Sequence, residues 1–338
     1  MACYNLFQTS QFPPFNPTSP SMPAKIILNP YSNRWRARER WPEAQRLLAS
    51  LGYEFEWVET EGPGHGIELA REAVAQGFDP IIAAGGDGAI SEVVNGLVGE
   101  GEIARATLGI LPLGSANDYA YQLGIPTNDL EAACRLLVEA KSIRTVDLGR
   151  GNQYVFVNDF IIGLGAIANQ EAAKIQRIKG EMRYVLGAMK AILKAKWPTV
   201  GARWEGGALE KRPILMGYIA IGYRTGGVYY FSPYAQHDDG LLDFLVAEAR
   251  SRLEVFRLLP STMKGTHIHA RGVYYLQSPW VELESEDPLP LLVDGEIKED
   301  FPTRVQARVL PGALRVISGE TPGPRPINLT QTSVKRDA

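Results

Sequence analysis

The hydrophobic pattern changes character once along the chain. From Lys25 to about Asp147, short apolar runs alternate with amphipathic stretches of helical period. Ile26, Ile27 and Leu28 form a strand signal that ends at Asn29-Pro30, and residues 55–58 form a second. Between them residues 43–51 read as a helix stopped by Gly52, and residues 67–76 as another stopped by Gly77. Residues 80–84 lack any polar interruption, as in a strand covered on both faces, and run straight into Gly85-Gly86-Asp87-Gly88. Residues 91–98 follow as a helix and 107–111 as a strand. Strands alternating with helices at this spacing predict a parallel sheet wrapped on both sides, with ligands beyond the carboxyl ends of its strands.

The second half carries mainly strand signal, at 154–157, 214–221, 241–246, 273–276, 281–283, 290–293 and 305–309. Two helical segments interrupt it, roughly 166–197 and 251–264. This pattern predicts a mainly antiparallel, β-rich domain. At the ends the pattern dissolves. Residues 1–23 hold Pro13, Pro14, Pro17, Pro20 and Pro23 among Ser, Thr and Asn, and are expected to be a disordered tail, with Met22 as an alternative start. Residues 321–338, with Pro322, Pro324 and Pro326, carry the same expectation.

Of the 338 residues, 45% are hydrophobic and 22% charged, ordinary values for a core-forming chain. A net charge of −3 offers no basic field for nucleic acid, so none is expected as a partner. Cys3 and Cys134 have no metal-ligand spacing and suggest no disulfide framework, which favours a reducing cytoplasm. No apolar run approaches the ~20 residues that span a bilayer, and the first residues do not read as a secretory signal.

The strongest chemical signal is Gly85-Gly86-Asp87-Gly88, set between a buried strand and a helix. Glycines there admit a polyphosphate close to the backbone, and the helix start presents free N–H groups to it. A tight turn without ligand is the alternative, but Asp87 among such amides makes most sense beside Mg²⁺. Leu111 to Ala120 contains a second glycine-hydroxyl loop, PLGSANDYA, for which the alternative is a plain helix cap by Ser115 or Asn117. A third, Thr60-Glu61-Gly62-Pro63-Gly64-His65-Gly66, leads into another helix, where His65 reads as a cap or packing residue. Asp294 and Glu296 are spaced by two, so on a strand both carboxylates would face one side. On the residues alone, an exposed acidic Asp-Gly hairpin turn is the better reading.

Other features read more plainly. His267 and His269 would share a strand face, but no third metal ligand accompanies them. The segment from Arg34 to Trp41 reads as a solvated helix start with Trp packed inward, lipid headgroup or ATP contact being the alternative. Between 174 and 197, Lys174, Arg177, Lys179, Arg183, Lys190, Lys194 and Lys196 accompany an apolar stripe of Met182, Val185, Leu186, Met189, Ile192 and Leu193. Such a helix can lie on an anionic membrane surface or pack its stripe on the β-rich domain.

Taken in order, these motifs resemble the diacylglycerol, sphingosine and ceramide kinase superfamily and, within it, the bacterial soluble lipid kinases. The resemblance spans roughly Lys25 to Ile317. It rests on Asn29-Pro30, the Thr60 to His65 stretch, GGDG followed by Glu92-Val93-Val94-Asn95-Gly96, and PLGSANDYA. Ser232-Pro233, Asp238-Asp239-Gly240-Leu241-Leu242-Asp243 and Val293-Asp294-Gly295-Glu296 complete it. GGDG alone is shared with NAD kinases and phosphofructokinases; the ordered set is far more specific.

The resemblance implies an α/β fold of two domains. These are a doubly wound, NAD kinase- and phosphofructokinase-like nucleotide-binding domain over 24–147 and a β-rich, sandwich-like lipid domain over 148–309, with 310–320 returning to the first. It implies ATP bound by Asn29, Thr60, Gly85, Gly86, Asp87, Gly88, Glu92, Gly114, Ser115 and Asn117. A structural Mg²⁺ would be held by the Gln236 carbonyl, Asp239 and the Leu241 carbonyl, and Glu296 would be the general base with Asp294 beside it. The implied acceptor is a lipid hydroxyl, whether of diacylglycerol, phosphatidylglycerol, a sphingoid base or an undecaprenol-like alcohol.

The chain also departs from the pattern. Ala89 replaces a threonine, Ser91 an asparagine, and Tyr223 the asparagine of an Ile-Gly-Asn motif. A missing hydroxyl–phosphate bond would cost about 1.5–3 kcal/mol, unless Ser91 or water fills the gap. These departures make a catalytically weak lipid-binding homologue one competing expectation, and the shared GGDG makes an NAD kinase-like phosphotransferase the other.

Overall fold

The computed structural model describes residues 23–175, 182–194 and 196–326. The expected amino-terminal tail before Pro23, Arg177 and Lys179 of the basic segment, and residues 327–338 lie outside the described residues.

The first half builds β1 (Ala24–Leu28), α1 (Arg36–Ser50), β2 (Phe55–Glu59), α2 (His65–Ala75), β3 (Ile81–Gly85), α3 (Asp87–Val98), β4 (Leu108–Pro112), α4 (Asp118–Gln122) and α5 (Leu130–Glu139). β1 pairs in parallel with β2 and β3, and β3 with β4. Strand alternation sorts the side chains onto two faces. Ile27, Ile81 and Ala83 meet Ala70, Ala73, Ile90, Val93 and Leu97 of α2 and α3. Ile26, Leu28, Ile82 and Ala84 meet Ala37, Trp41, Ala44, Leu48, Cys134 and Leu137 of α1 and α5. Helices on both faces make the sheet doubly wound.

Two helices are longer than their patterns suggest. α1 runs unbroken from Arg36 through Pro42 to Ser50, so the helix start read at Arg34–Trp41 and the helix read over 43–51 are one element. α3 begins at Asp87 rather than 91, so GGDG is itself the helix start.

The second half contributes β5 (Ile143–Gly151), β6 (Tyr154–Phe156), β7 (Asp159–Gly163), α6 (Leu164–Ala173), α7 (Met182–Lys194), β8 (Thr199–Trp204), β9 (Gly207–Ala220), β10 (Leu242–Glu248), α8 (Arg252–Thr262), β11 (Val273–Ser278), β12 (Trp280–Ser285), β13 (Leu291–Val293), β14 (Glu296–Lys298) and β15 (Arg304–Ile317). β9 pairs antiparallel with β7, β8 and β10, and β12 with β8 and β15. Phe156, Phe160, Ile162, Ile219, Phe244, Leu283 and Val305 fill the core of this β-rich unit.

β15 links the halves. Its first part pairs with β12 and β5; past a bulge that includes Gly312 (φ 59°), Leu314 to Ile317 pair with the start of β5 and, at Val316, with Leu108 of β4. The protein is thus a two-domain α/β chain with a sandwich-like second domain.

Two expectations change here. The single helical segment 166–197 is two helices, α6 and α7. His267 and His269 lie on a short 3₁₀ turn, Thr266–His269, and not on a strand face: His267 is buried, His269 exposed. No helix among the described residues is long and apolar enough to cross a membrane.

Candidate active site

At the carboxyl ends of β3 and β4 two glycine loops cross backbone against backbone. The Leu113 N–H donates to the Gly85 carbonyl at 2.8 Å. A methyl group added at Gly114 would lie 2.3 Å from Gly86 Cα and 2.6 Å from Asn117 Oδ1, so the crossing admits no side chain there. Asn117, in the left-handed region at φ 49°, clasps the Gly114 peptide: its Oδ1 accepts from Gly114 N–H at 2.9 Å and its Nδ2 donates to Gly114 C=O at 3.2 Å. Asp87 ties the two loops together by accepting the Tyr119 N–H at 3.0 Å at the start of α4. Burial raises the Asp87 carboxyl above the usual carboxylate range.

A third loop, after β1, completes the cradle through residues not singled out from the sequence. Ser32 Oγ accepts the Gly86 N–H at 3.3 Å, and Ser115 Oγ donates to Asn33 Oδ1 at 3.1 Å. Asn33, Arg34 and Trp35 all have positive φ, 53°, 57° and 73°, a conformation that costs ~1–3 kcal/mol per residue and persists only where neighbours enforce it. Side-chain patterning carries no signal for such a turn.

The residues expected to hold ATP fall into two sets. Gly86, Asp87, Gly88, Gly114 and Ser115 line one cavity with Ser32, Asn33 and Asp118. The others stand behind it. Asn29 Oδ1 accepts the Tyr31 N–H at 3.0 Å and closes its own loop. Thr60 is anchored through its N–H to Leu28 C=O at 2.8 Å, and its buried hydroxyl has no partner among the described residues. Glu92 accepts the Gly64 and Gly66 N–H groups at 2.8 and 2.9 Å, pinning the loop before α2. Within that loop His65 Nδ1 accepts the Glu61 N–H at 3.0 Å, a local cap.

Asp294 and Glu296 do not share a strand face. Asp294 (φ 46°) and Gly295 (φ 82°) are the two turn residues between β13 and β14, and Val293 pairs with Glu296 across them. Such primed turns suit the strand twist and favour Asp-Gly. The turn sends the two carboxylates apart. Asp294 points inward and accepts the N–H groups of Val157, Asn158 and Asp159 at 3.0, 2.9 and 3.1 Å and the Ser91 hydroxyl at 2.8 Å. Burial still pushes it up to about 6. Glu296 is half-buried, bonded to Lys298 Nζ at 2.8 Å, and its Oε1 is 3.8 Å from where a Gly88 side chain would begin. Ser91, spent on Asp294, is not available to replace the hydroxyl missing at Ala89; the Ala89 methyl packs toward Gly85.

Further carboxylates crowd this junction. Asp118 sits 3.4 Å from Arg224 Nε and accepts the Gly227 N–H, yet burial and Asp87 push it up to about 8. Arg224 lies 4.2 Å over the Tyr121 ring. Asp159, at the start of β7, is buried and pushed up to about 7.

The cavity does not stop at the cradle. It measures about 490 Å³ and runs from Gly86–Gly88 past Asp159, Asp294 and Glu296 into the β-rich domain, where Ile161, Leu164, Ile192, Leu215, Leu245, Val255 and Leu292 wall it. One end is lined by backbone amides and hydroxyls and the other by hydrocarbon. α7 and α8 supply part of the apolar wall, and Met189, Leu193 and Leu253 on them, with Met263 just past α8, are exposed.

The loop expected to hold a metal lies elsewhere. Asp239 Oδ1 accepts the Leu241 N–H at 3.1 Å, and Asp147 bridges the Gly240 and Gly312 N–H groups at 2.7 Å each. Burial, Asp147 and Asp238 push Asp239 up to about 6, and Gln236 is exposed beside it. Among the described residues no three metal-ligating side chains converge.

Residues 321–326, expected to be unstructured, are packed. Tyr223 is buried and donates its hydroxyl to Gly323 C=O at 2.7 Å; Arg325 stacks 4.1 Å over its ring, and Tyr121 donates to Pro324 C=O at 3.0 Å. The tyrosine that replaces the expected asparagine thus serves as the seat of this strap.

Two family models match the chain. Residues 23–150 match the diacylglycerol kinase catalytic domain, and residues 159–318 the YegS C-terminal NAD kinase beta sandwich-like domain. A probable lipid kinase YegS-like of Chromohalobacter salexigens is 38% identical over 76% of this chain and 81% of its own length. A diacylglycerol kinase of Bacillus subtilis is 30% identical over 81% of this chain and 89% of its own. Among solved structures, a putative diacylglycerol kinase from Bacillus anthracis superimposes with a TM-score of 0.73 at 24% identity, over 88% of this chain and 97% of that one, a likeness of fold.

Proposed function

The chain belongs to the family of bacterial diacylglycerol kinases and YegS-like lipid kinases, and on that premise we propose that it transfers the γ-phosphoryl group of ATP to a hydroxyl of a lipid. The observation that carries this reading is the single cavity joining a phosphate cradle to an apolar arm, with Glu296 at their junction. A kinase of this family uses ATP. The start of α3 and the Gly114 loop offer amides to its phosphates, and the orphaned Thr60 hydroxyl behind the cradle is a further polar group in search of a partner.

Glu296 stands beside the Gly88 end of the cradle, and Lys298 fixes its orientation. In the proposed step it accepts the proton of the acceptor hydroxyl. The freed oxygen forms a bond to the γ-phosphorus, and the bond from that phosphorus to the ADP oxygen breaks. Asp294 plays a different part, because its four accepted hydrogen bonds hold the β6–β7 loop and occupy the lone pairs that a substrate proton would need.

Two places would hold Mg²⁺. Asp87 and Asp118, raised by burial beside one guanidinium, favour a cation near the phosphates. At the other, Asp239, raised by burial, would hold a structural ion together with the Gln236 and Leu241 carbonyls that the family resemblance implies. When bound, the ion at the phosphates would neutralise charge developing in transfer. The lipid would be drawn from a membrane met by the outer sides of α7 and α8, where Met189, Leu193, Leu253 and Met263 stand among exposed Lys190, Lys196, Arg257 and Lys264.

Ala168 borders the apolar arm. In Ala168→Trp, long-chain acceptors should lose at least about tenfold in kcat/KM relative to a water-soluble short-chain alcohol, because indole takes the space an acyl chain needs. Equal loss, or none, for the two acceptors would refute the assignment of the arm.

A further inference from the structure

Asp159 occupies an unusual place in the cavity. It is only 1% exposed, yet it lines the cavity on the same face of β7 as Ile161, the next residue but one and part of the apolar wall. Its own N–H is held by Asp294 at 3.1 Å, so the backbone is fixed where the polar and apolar parts meet. Its carboxylate is bonded by neutral groups: the Tyr218 hydroxyl at 3.0 Å, Asn158 Nδ2 at 3.3 Å, and the Thr225 side chain. The nearby guanidinium is committed elsewhere, since Arg224 pairs with Asp118 and donates to Gly227 C=O at 2.9 Å. Among the described residues no basic side chain forms an ion pair with Asp159.

We propose that Asp159 is a specificity-determining residue that receives a second hydrogen-bond donor, hydroxyl or ammonium, carried by the acceptor lipid beside the hydroxyl that is phosphorylated. The inference rests on the lipid-kinase reading above. A carboxylate accepts hydrogen bonds at about four lone-pair positions, and three neutral donors leave one open toward the cavity. An acceptor that reaches the junction must face that position. The groups beside the free hydroxyl of a diacylglycerol are ester oxygens, which only accept, so lone pair would oppose lone pair at a carboxylate that is 1% exposed. A lipid diol or amino alcohol places a donor there instead. Sites built to bond a substrate donor reject analogues that lack it far more strongly than apolar pockets reject a change of shape.

The test compares kcat/KM at about pH 8.5, where Asp159, pushed up to about 7 by burial, is ionised, for a monoalkyl glycerol, a long-chain amino alcohol and a diacylglycerol in one detergent, on the parent, Asp159→Asn, Asp159→Ala and Tyr218→Phe. The parent should favour both donor-bearing acceptors over the diacylglycerol by about 10–100-fold, the worth of a hydrogen bond to a charged group. Asp159→Ala should bring both ratios toward one. Asp159→Asn should depress the amino-alcohol ratio more than the diol ratio, because it removes the charge and keeps an acceptor. Tyr218→Phe, which keeps the carboxylate, should preserve the preference. Ratios within one preparation do not depend on the folded fraction. A parent that is indifferent or prefers the diacylglycerol overturns this inference alone, as does an equal loss on all three acceptors in Asp159→Ala. No turnover of any acceptor overturns both it and the kinase reading.

Discussion

Asp294 and Glu296 stand one residue apart, yet removing either charge should have opposite signatures. Asp294→Asn keeps the shape of the side chain. An amide oxygen at the Oδ1 position still accepts from Asn158 and Asp159, and the new NH₂ can donate to a reoriented Ser91 hydroxyl. The Val157 N–H, now 3.0 Å from another donor, loses its partner. One buried N–H without an acceptor costs about 1–3 kcal/mol, which for a chain of this size lowers Tm by about 2–8 °C. Asp294→Ala strands all three amides and should cost roughly 3–9 kcal/mol before any water enters. Glu296→Gln touches only Lys298, on a half-buried strand, and should leave Tm within about 1 °C. Its kcat should fall by about 10²–10⁴-fold with ATP affinity retained. The assay is differential scanning calorimetry beside steady-state kinetics on the three variants. If Asp294→Asn melts with the parent but loses kcat as a general base would, and Glu296→Gln is kinetically mild, the roles argued from this turn are reversed.

Gly114→Ala places a carbon 2.3 Å from Gly86 Cα, so nucleotide affinity by calorimetry should fall at least about tenfold; unchanged binding would show that the crossing is not part of the nucleotide site. Asp118 and Asp159 keep their protons to about 8 and about 7 when folded but release them near the ordinary carboxylate range when unfolded. Their stabilisation is therefore complete below that range and lost as pH rises through 7 to 8. His267, held down to about 4 by burial, acts oppositely, but its contribution is complete above about pH 6.5. Tm should accordingly fall between about pH 6.5 and 8.5, and less steeply in Asp159→Asn; a flat profile in the parent would contradict the burial argument. Lys190→Glu with Lys196→Glu should weaken co-sedimentation with anionic vesicles, and the parent should show strong salt dependence. Binding unaffected by either would remove α7 as the docking surface.

How much of this was legible in the sequence depended on whether a feature is written in side-chain pattern. β1, β3 and β4 announce themselves as buried runs, and Gly85 and Gly86 mark the cradle because a Cβ would lie 2.6 Å from the Ala89 methyl at the first and 3.1 Å from Gly114 Cα at the second. The Asp-Gly turn was visible, but not its consequence: spacing by two suggested a shared face, whereas the left-handed turn sends Asp294 inward and leaves Glu296 at the cradle. Glu92 and Asn117 read as ligands because they sit in the motifs, and tertiary structure uses them to clasp loop amides. Ser32 and Asn33 went unread because a run of left-handed residues at 33–35 has no compositional mark. Asp159 was hidden for a related reason: β7 lacks alternation, and only its pairing with β9 and β13 turns that carboxylate into the cavity.

The central claim, phosphoryl transfer from ATP to a lipid hydroxyl, is tested most directly by incubating the protein with γ-labelled ATP, Mg²⁺ and total lipid extract, with NAD⁺ in a parallel tube. The account predicts label in the organic phase only when lipid is present, no label in NAD⁺, loss of the signal in Gly86→Arg, and a drop of about 10²–10⁴-fold in Glu296→Gln. Label that passes to NAD⁺, or appears only as inorganic phosphate whatever lipid is supplied, would contradict it.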